Sequence, residues 1–374
     1  LVSYGIGADS NTGYLTGVTI GAANTGTHAG VVDQPSFSVT RGFYETPFLV
    51  HLTCATPGAV IRYTIDTSEP TASTGIIYNP SQPIAVASTT CLRAAAFKSG
   101  YLSSTIVTHT YIFLNQVLVQ ATNPSTGEQV VPTGYPAIWP GGTYKEQPGD
   151  YQVDPDIASP SGLFGHLYAA TLKSDLQAVP TVSVVVPLEH FFGSPMGIYT
   201  HENQDGTERA GSVEFIDPTG TEAFATNCGV RMQGGSSLFR WSIFKLSLRL
   251  RFRGGYGGSL DYPLFGEHAA SSFENLILDA RHNMTWAYDG DVVQKVRATY
   301  VRDRVAADLQ LAMGGYASQG RPIHLYLNGL YWGMYWVQER PDHWFAASYL
   351  GGDGEDYDAL KHNANTVVKG SNDD

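Results

Sequence analysis

The chain has 374 residues, 43% of them hydrophobic, which is enough for two or three packed domains and excludes wholesale disorder. Its net charge of −12 argues against a nucleic-acid partner, which needs a basic surface, and no apolar run reaches the length of a membrane helix. Only 15% of the residues are charged, while Gly (41) and Tyr (22) are abundant, a composition that suits a β-rich extracellular or cell-surface protein.

The chain opens at Leu1 with neither an initiator Met nor a signal-peptide pattern and stops in a loop-like stretch, so it reads as a piece of a longer precursor. Residues 1–35, rich in Gly, Thr, Asn and Ala, read as a linker or the end of a preceding domain. Residues 36–115 change character. The runs "FLVHLTCA", "AVIRYTID", "IIYN", "PIAVAS", "TCLRAAAFK" and "STIVTHTYIF" are β-branched and aromatic, and Gly, Pro, Asn and Ser turn signals separate them. Short strands at this spacing predict a small β-sandwich. In "VIRYTID" the alternation puts Ile61, Tyr63 and Ile65 on the inner face. Cys54 and Cys91 fall in this segment, either as a disulfide of an exported protein or as two buried thiols; Cys228 stands apart, and no metal-ligand spacing exists.

The stretch from "TPGAVIRYTIDTSEP" through "LRAAAFKSGYLSSTIVTHTYIF" resembles the chitobiase/β-hexosaminidase C-terminal module. The resemblance implies an immunoglobulin-like accessory sandwich without catalytic residues. Asp66 is then a turn residue rather than an acid, and Thr67 stands where that family usually has Gly. The earlier "GYLTGVTIGAAN" resembles the close of a lamin-tail-like domain.

Residues 116–180 are a Pro- and Gly-rich connector, with Trp139 and the tyrosines expected to pin it to a neighbouring surface, and with a short helix whose last piece starts at Ser174 and Asp175. Residues 181–374 mix strands and helices. "TVSVVVP" reads as a buried strand, and "GSVEFIDP", "NCGVRMQG", "FKLSLRLRFR", "ENLILDA", "RPIHLYLNG" and "YWGMYWVQE" as further strands. Asn328-Gly329 marks a tight hairpin. One long helix is predicted after Asp291, with Val293, Val296, Tyr300, Val305, Leu309 and Ala312 on one face and Gly314-Gly315 as its stop; a shorter helix follows Pro341.

A Gly-rich turn, a strand with one Lys, a helix, a hairpin and a hinge follow in the order of a protein-kinase small lobe. The residues extend this: "GVRMQGGSS", "FKLSLRLRF", "LDYPLFG" and "PIHLYLNGLYWGMYWVQERPDHW" resemble the CotH-type atypical kinase family. The fold class expected is therefore multidomain: an all-β immunoglobulin-like sandwich, then an α+β domain over 181–374 resembling a kinase small lobe, incomplete at its C-terminal end. The resemblance implies ATP and Mg²⁺ as cofactors of the full-length protein. Gly234, Gly235, Ser236 and Ser237 would contact phosphates through backbone N–H groups, or form a plain hairpin turn. Lys245 would neutralise phosphate charge with Asp303 or Asp308 as its acidic partner; those acids are otherwise solvated, or i,i+4 partners of residues such as Arg304. Gln338 and Glu339, with Arg340, would form the hinge that meets the adenine, or an ion pair to the next helix. Leu238 replaces an Arg of the family pattern, and the basic run over 240–253 reads as a mostly solvated face.

The family's catalytic and metal-binding Asp residues are expected beyond Asp374, so the chain as it stands is predicted to transfer no phosphate. Two functional readings result. One is an ATP-dependent protein kinase of CotH type, acting on a protein substrate. The other is an extracellular structural or adhesive protein that uses the sandwich and a non-catalytic domain for self-assembly or glycan binding.

Overall fold

The computed structural model of the chain describes residues 3–8, 10–15, 24, 26–139, 146–201, 206–219, 222–234, 245–285, 288, 291–361 and 366–371. In the first module, β1 (Gly42–Phe43), β2 (Val60–Thr64), β3 (Ile76–Ile77), β4 (Thr90–Phe97) and β5 (Val107–Ile112) form a sheet in the order β1-β5-β4-β2-β3. The facing layer consists of short antiparallel pairs, Ser36–Phe37 with Leu52–Thr53 and Phe48–Val50 with Ile84–Val86. Strand alternation sends Leu92, Ala94 and Ala96 of β4 and Tyr111 of β5 inward against Val50, Leu52 and Val86. Ile61 joins this core and Tyr63 packs on it, but Ile65 is exposed, against the predicted alternation. The strand has ended at Thr64: its hydroxyl donates to Ser68 O, and Asp66 Oδ1 accepts from Ser68 N at 3.1 Å, which is the Asx-type turn expected for Asp66.

Of the two alternatives for Cys54 and Cys91, the structure has free thiols. Cys54 follows the facing layer and donates to Asp33 O, whereas Cys91 lies on the outer side of β4 beside Thr110, so the sandwich core separates them. Residues 1–35 are partly structured. Ser3–Ile6 pairs with Thr12–Leu15, and Ala29, Gly30 and Val32 exchange backbone hydrogen bonds with Gly100 and Leu102, strapping the segment to the sandwich.

The second module is a closed seven-stranded barrel. Its strands are β6 (Thr181–Val185), β7 (Arg209–Ile216), β8 (Glu222–Met232), β9 (Leu248–Arg251), β10 (Asn275–Asp279), β11 (Gly320–Leu327) and β12 (Leu330–Glu339), in the order β6-β7-β8-β9-β10-β12-β11. Every pairing is antiparallel except β6 with β11, whose parallel register closes the ring. The β11–β12 hairpin turns on Asn328 and Gly329, both at positive φ, as a two-residue hairpin loop requires. The interior is filled by side chains, among them Val184, Val213, Val230, Leu250, Leu278 and Leu325, so ligands must use its outside.

Trp139 and Tyr151 of the connector are buried, hydrogen-bonded to each other at 2.9 Å, and packed with Tyr199 and Trp332 of the barrel. The pinning role expected of Trp139 is thus observed. The last connector helix is Leu172–Asp175, so Ser174 and Asp175 end it rather than start it.

The predicted long helix is two helices, α1 (Val292–Val296) and α2 (Arg302–Ala312). Tyr300 breaks it: its φ is 61°, its ring is buried, and its hydroxyl donates to Met334 O on β12. Anchoring the tyrosine to the barrel outweighs continuing the helix. Val296 and Leu309, expected on a core face, are 76% and 61% exposed. Asp291 caps α1 through Val293 N and Gln294 N as predicted. The helix after Pro341 is α3 (His343–Leu350), capped by Asp342.

The modules meet through a polar interlock. Thr108 and Thr110 project from the outer side of β5 toward Ser212, Ser183 and Glu214 of the barrel. Glu214 is fully buried; it accepts from Thr110 N at 3.0 Å and lies 3.3 Å from Arg41 Nε. The apolar residues Ile112, Leu114, Val117, Leu176, Ile216 and Tyr326 pack beside it. Thr67 belongs to this contact. It keeps the left-handed conformation of the turn (φ 70°) without being Gly, and its hydroxyl accepts from Leu188 N at 3.1 Å.

Candidate functional site: an arginine-lined face of the barrel

Alternation on β8 and β9 turns Val230, Met232, Leu248 and Leu250 into the core and leaves Arg231, Arg249 and Arg251 outside. Arg231 and Arg249 are direct cross-strand partners, a like-charge pairing that is unfavourable unless anions intervene. Arg340, leaving the end of β12, joins them: its Nη1 donates to Gln233 Oε1 at 3.3 Å. The carboxylates available are few. Asp342 Oδ2 lies 3.1 Å from Arg340 Nε and 3.8 Å from Arg249 Nη2, while also capping α3; Glu208 serves Arg251 at 3.5 Å, and Arg253. Among the described residues, five guanidinium groups thus share two directly paired carboxylates. Arg231 Nε is buried without a hydrogen-bond partner.

The electrostatics follow from this imbalance. Burial, then Arg340 and Arg251, push Arg249 down to about 9 against the pull of Asp342. Arg231 is lowered by burial first and then by Arg251. A guanidinium keeps its proton, so such a face is relieved by taking up an anion. Beside it, a cavity of about 360 Å³ lies between α2, β12 and the start of α3, with Trp336, Gln338, Phe345, Arg281 and Asp303 in its walls.

The sequence-predicted residues distribute unevenly. Gly234 follows Gln233 at the end of β8, with φ 133°, and so borders the arginine face. Gly235, Ser236 and Ser237 lie outside the described residues, as do Leu238 and Arg240. Lys245 precedes β9 rather than sitting on it. Its Nζ is 3.2 Å from Asp150 of the connector and lies over the Trp332 ring, so its charge is used to hold the connector. Neither proposed helix acid reaches it: Asp303 pairs with Arg281 at 3.6 Å, and Asp308 with Arg304 at 2.6 Å, the i,i+4 alternative. The cation that joins sheet to helix is Arg281, at the end of β10, which also pairs with Asp279 and lies 4.5 Å from the Trp336 ring centroid.

Gln338 and Glu339 do not offer a free hinge backbone. Gln338 is paired on both sides, with Ile277 and Gly320, and Glu339 N donates to Gln319 O. The Glu339 carboxylate is buried, which raises its pKa, and it accepts from Gln319 N at 2.8 Å and Tyr349 OH at 2.9 Å. It ties β12 to α3, while Arg340 forms the ion pair to the next helix that was the alternative reading. Of the basic run, Arg249 and Arg251 are part-buried and ion-paired, whereas Arg253 is exposed. Arg231, Arg281 and the double role of Asp342 were missed; alternating Arg in "RLRFR" facing Arg231 was the available signal. Among the described residues no three His, Cys, Asp or Glu side chains gather as a metal site.

Residues 230–374 match the family model described as CotH kinase protein, and residues 39–108 match that of the chitobiase/beta-hexosaminidase C-terminal domain. The first match begins within β8 and includes Arg231, Arg249, Arg251 and Arg340, while β6 and β7 precede it. No curated protein matches the chain.

Proposed function

Because the chain carries a CotH-type region preceded by a chitobiase-type module, we propose that the arginine-lined face is the nucleotide surface of an extracellular or cell-surface protein kinase. The excess of guanidinium groups over carboxylates beside Gly234 carries this reading. Phosphoryl transfer relies on positioning and on neutralising phosphate oxygens, and planar guanidinium groups do both. The aromatic cavity at Trp336 and Phe345 is within the size range of small-molecule sites and would take the base. In this reading the Arg281–Asp303 pair takes the place of the Lys–Glu pair of a kinase small lobe. Mg²⁺ would arrive with the phosphates and offset their charge.

The test is calorimetric titration of the chain with MgATP. Arg231→Ala is expected to weaken binding about 10-fold or more, because a hydrogen bond to a charged group is worth about 1.5–3 kcal/mol. Lys245→Met is expected to leave affinity near wild type. The reverse pattern, with Lys245 essential and Arg231 silent, would move the site to the connector end of the barrel and overturn the proposal.

A further inference from the structure

A second concavity lies between the two modules; its barrel lip follows Arg253 in the chain, and Glu208 links it to the arginine face. It has a volume of about 1140 Å³, beyond the usual range for small-molecule sites (roughly 300–1,000 Å³), so it suits an extended ligand. The sandwich provides the floor, with Val60 and Ile77, 45% and 56% exposed, beside Ala95 and Phe97. The barrel provides the opposite lip, Gly254, Gly255, Tyr256 and Gly257. Tyr256 is half-buried, its hydroxyl donating to Glu208 at 2.9 Å and Arg253 lying over its ring, while the flanking Gly255 and Gly257 face open space.

The charges in this cleft oppose those of the whole chain. Among the described residues, Arg62, Arg93 and Lys98 line it against one carboxylate, Glu69, in a protein of net charge −12. Lys98 Nζ lies 4.3 Å from the Tyr101 ring centroid, on the sandwich wall. Arg93 is almost wholly buried: Nη1 donates to Thr67 O, Nη2 is 3.7 Å from Glu69, and Nε has no hydrogen-bond partner. A tyrosine on the barrel lip, an apolar floor and excess cations suit repeating units that each carry an apolar face and a carboxylate. A peptide is served less well: β2 and β4 are each paired on both sides, and the edge strand that reaches the cleft, β3, is only two residues long.

We propose that this cleft binds an acidic oligosaccharide of the uronic-acid class, its carboxylates on Arg62 and Lys98 and a sugar face on Tyr256. The experiment is titration of the chain with tetragalacturonate, with cellotetraose and a glutamate-rich peptide as comparisons and saturating MgATP as competitor. Expected are binding of the uronate in preference to both, weakening by about 10-fold or more in Tyr256→Ala and in Arg62→Gln/Lys98→Gln, and no displacement by MgATP. Equal binding of the neutral sugar, stronger binding of the peptide, unchanged affinity in the folded variants, or displacement by MgATP each overturns the assignment. Because Arg62 and Lys98 belong to the sandwich and not to the arginine face, their double variant keeps this result interpretable if MgATP fails to bind.

Discussion

Replacing Glu214 by Ala removes the anion at the centre of the contact between sandwich and barrel. The carboxylate is fully buried, accepts from Thr110 N and Thr110 Oγ1, and faces Arg41, itself buried. Truncation leaves a buried guanidinium without this counterion and a backbone N–H without its acceptor. Breaking one side of a buried pair costs about 3–5 kcal/mol. At roughly 2–4 °C per kcal/mol for a unit of this size class, the midpoint of thermal unfolding should fall by about 6–20 °C. Scanning calorimetry of wild type, Glu214→Ala, Arg41→Met and the double variant Arg41→Met/Glu214→Leu measures both the loss and the coupling. The double variant should be less destabilised than the two single losses added together, since it buries no unpaired charge. A loss under about 1 kcal/mol in Glu214→Ala, or simple additivity in the cycle, would show that the interlock does not hold the modules together.

Thr67→Val keeps the side-chain shape but removes the acceptor for Leu188 N, and should cost about 1–3 kcal/mol in urea unfolding. Thr67→Gly relieves the left-handed backbone while losing the same bond, so it should cost less than Thr67→Val; the opposite order would refute the backbone strain at Thr67, and no loss in Thr67→Val would refute the bond's role. His109 stacks on Phe37 and is lowered from 6.5 to about 3, first by burial and then by Arg41. With the folded value below the unfolded one, its contribution is complete above pH 6.5 and is lost as pH falls toward 3, at up to ~1.4 kcal/mol per pH unit. His109→Phe should flatten the acid side of the stability profile, and an unchanged slope would show that the imidazole is protonated in the folded state.

Much of the architecture was legible because it is written in short-range pattern. β-Branched and aromatic runs between turn signals marked strands of both modules, Asn328-Gly329 marked the hairpin, and Asp291 and Asp66 announced a cap and a turn through bonds to neighbours two or three residues away. These choices depend on sterics and hydrogen bonds within one element. The helix break at Tyr300 was not legible, because its cause is a hydrogen bond to β12, and neither was the exposure of Val296 and Leu309, which a helical period alone cannot place inside or outside.

The sequence by itself determined two modules, their strands and the family likeness of each. Tertiary structure alone decided the barrel, because its closure is a parallel pairing of β6 with β11, more than a hundred residues apart in the chain. It also decided which cations are free to meet a ligand. Lys245 and Arg231 look alike in a sequence, but a long charged side chain takes its role from whichever carboxylate the fold brings within reach. Asp150 of the connector claims the lysine, while Arg231 stands across from another arginine with its Nε unbonded.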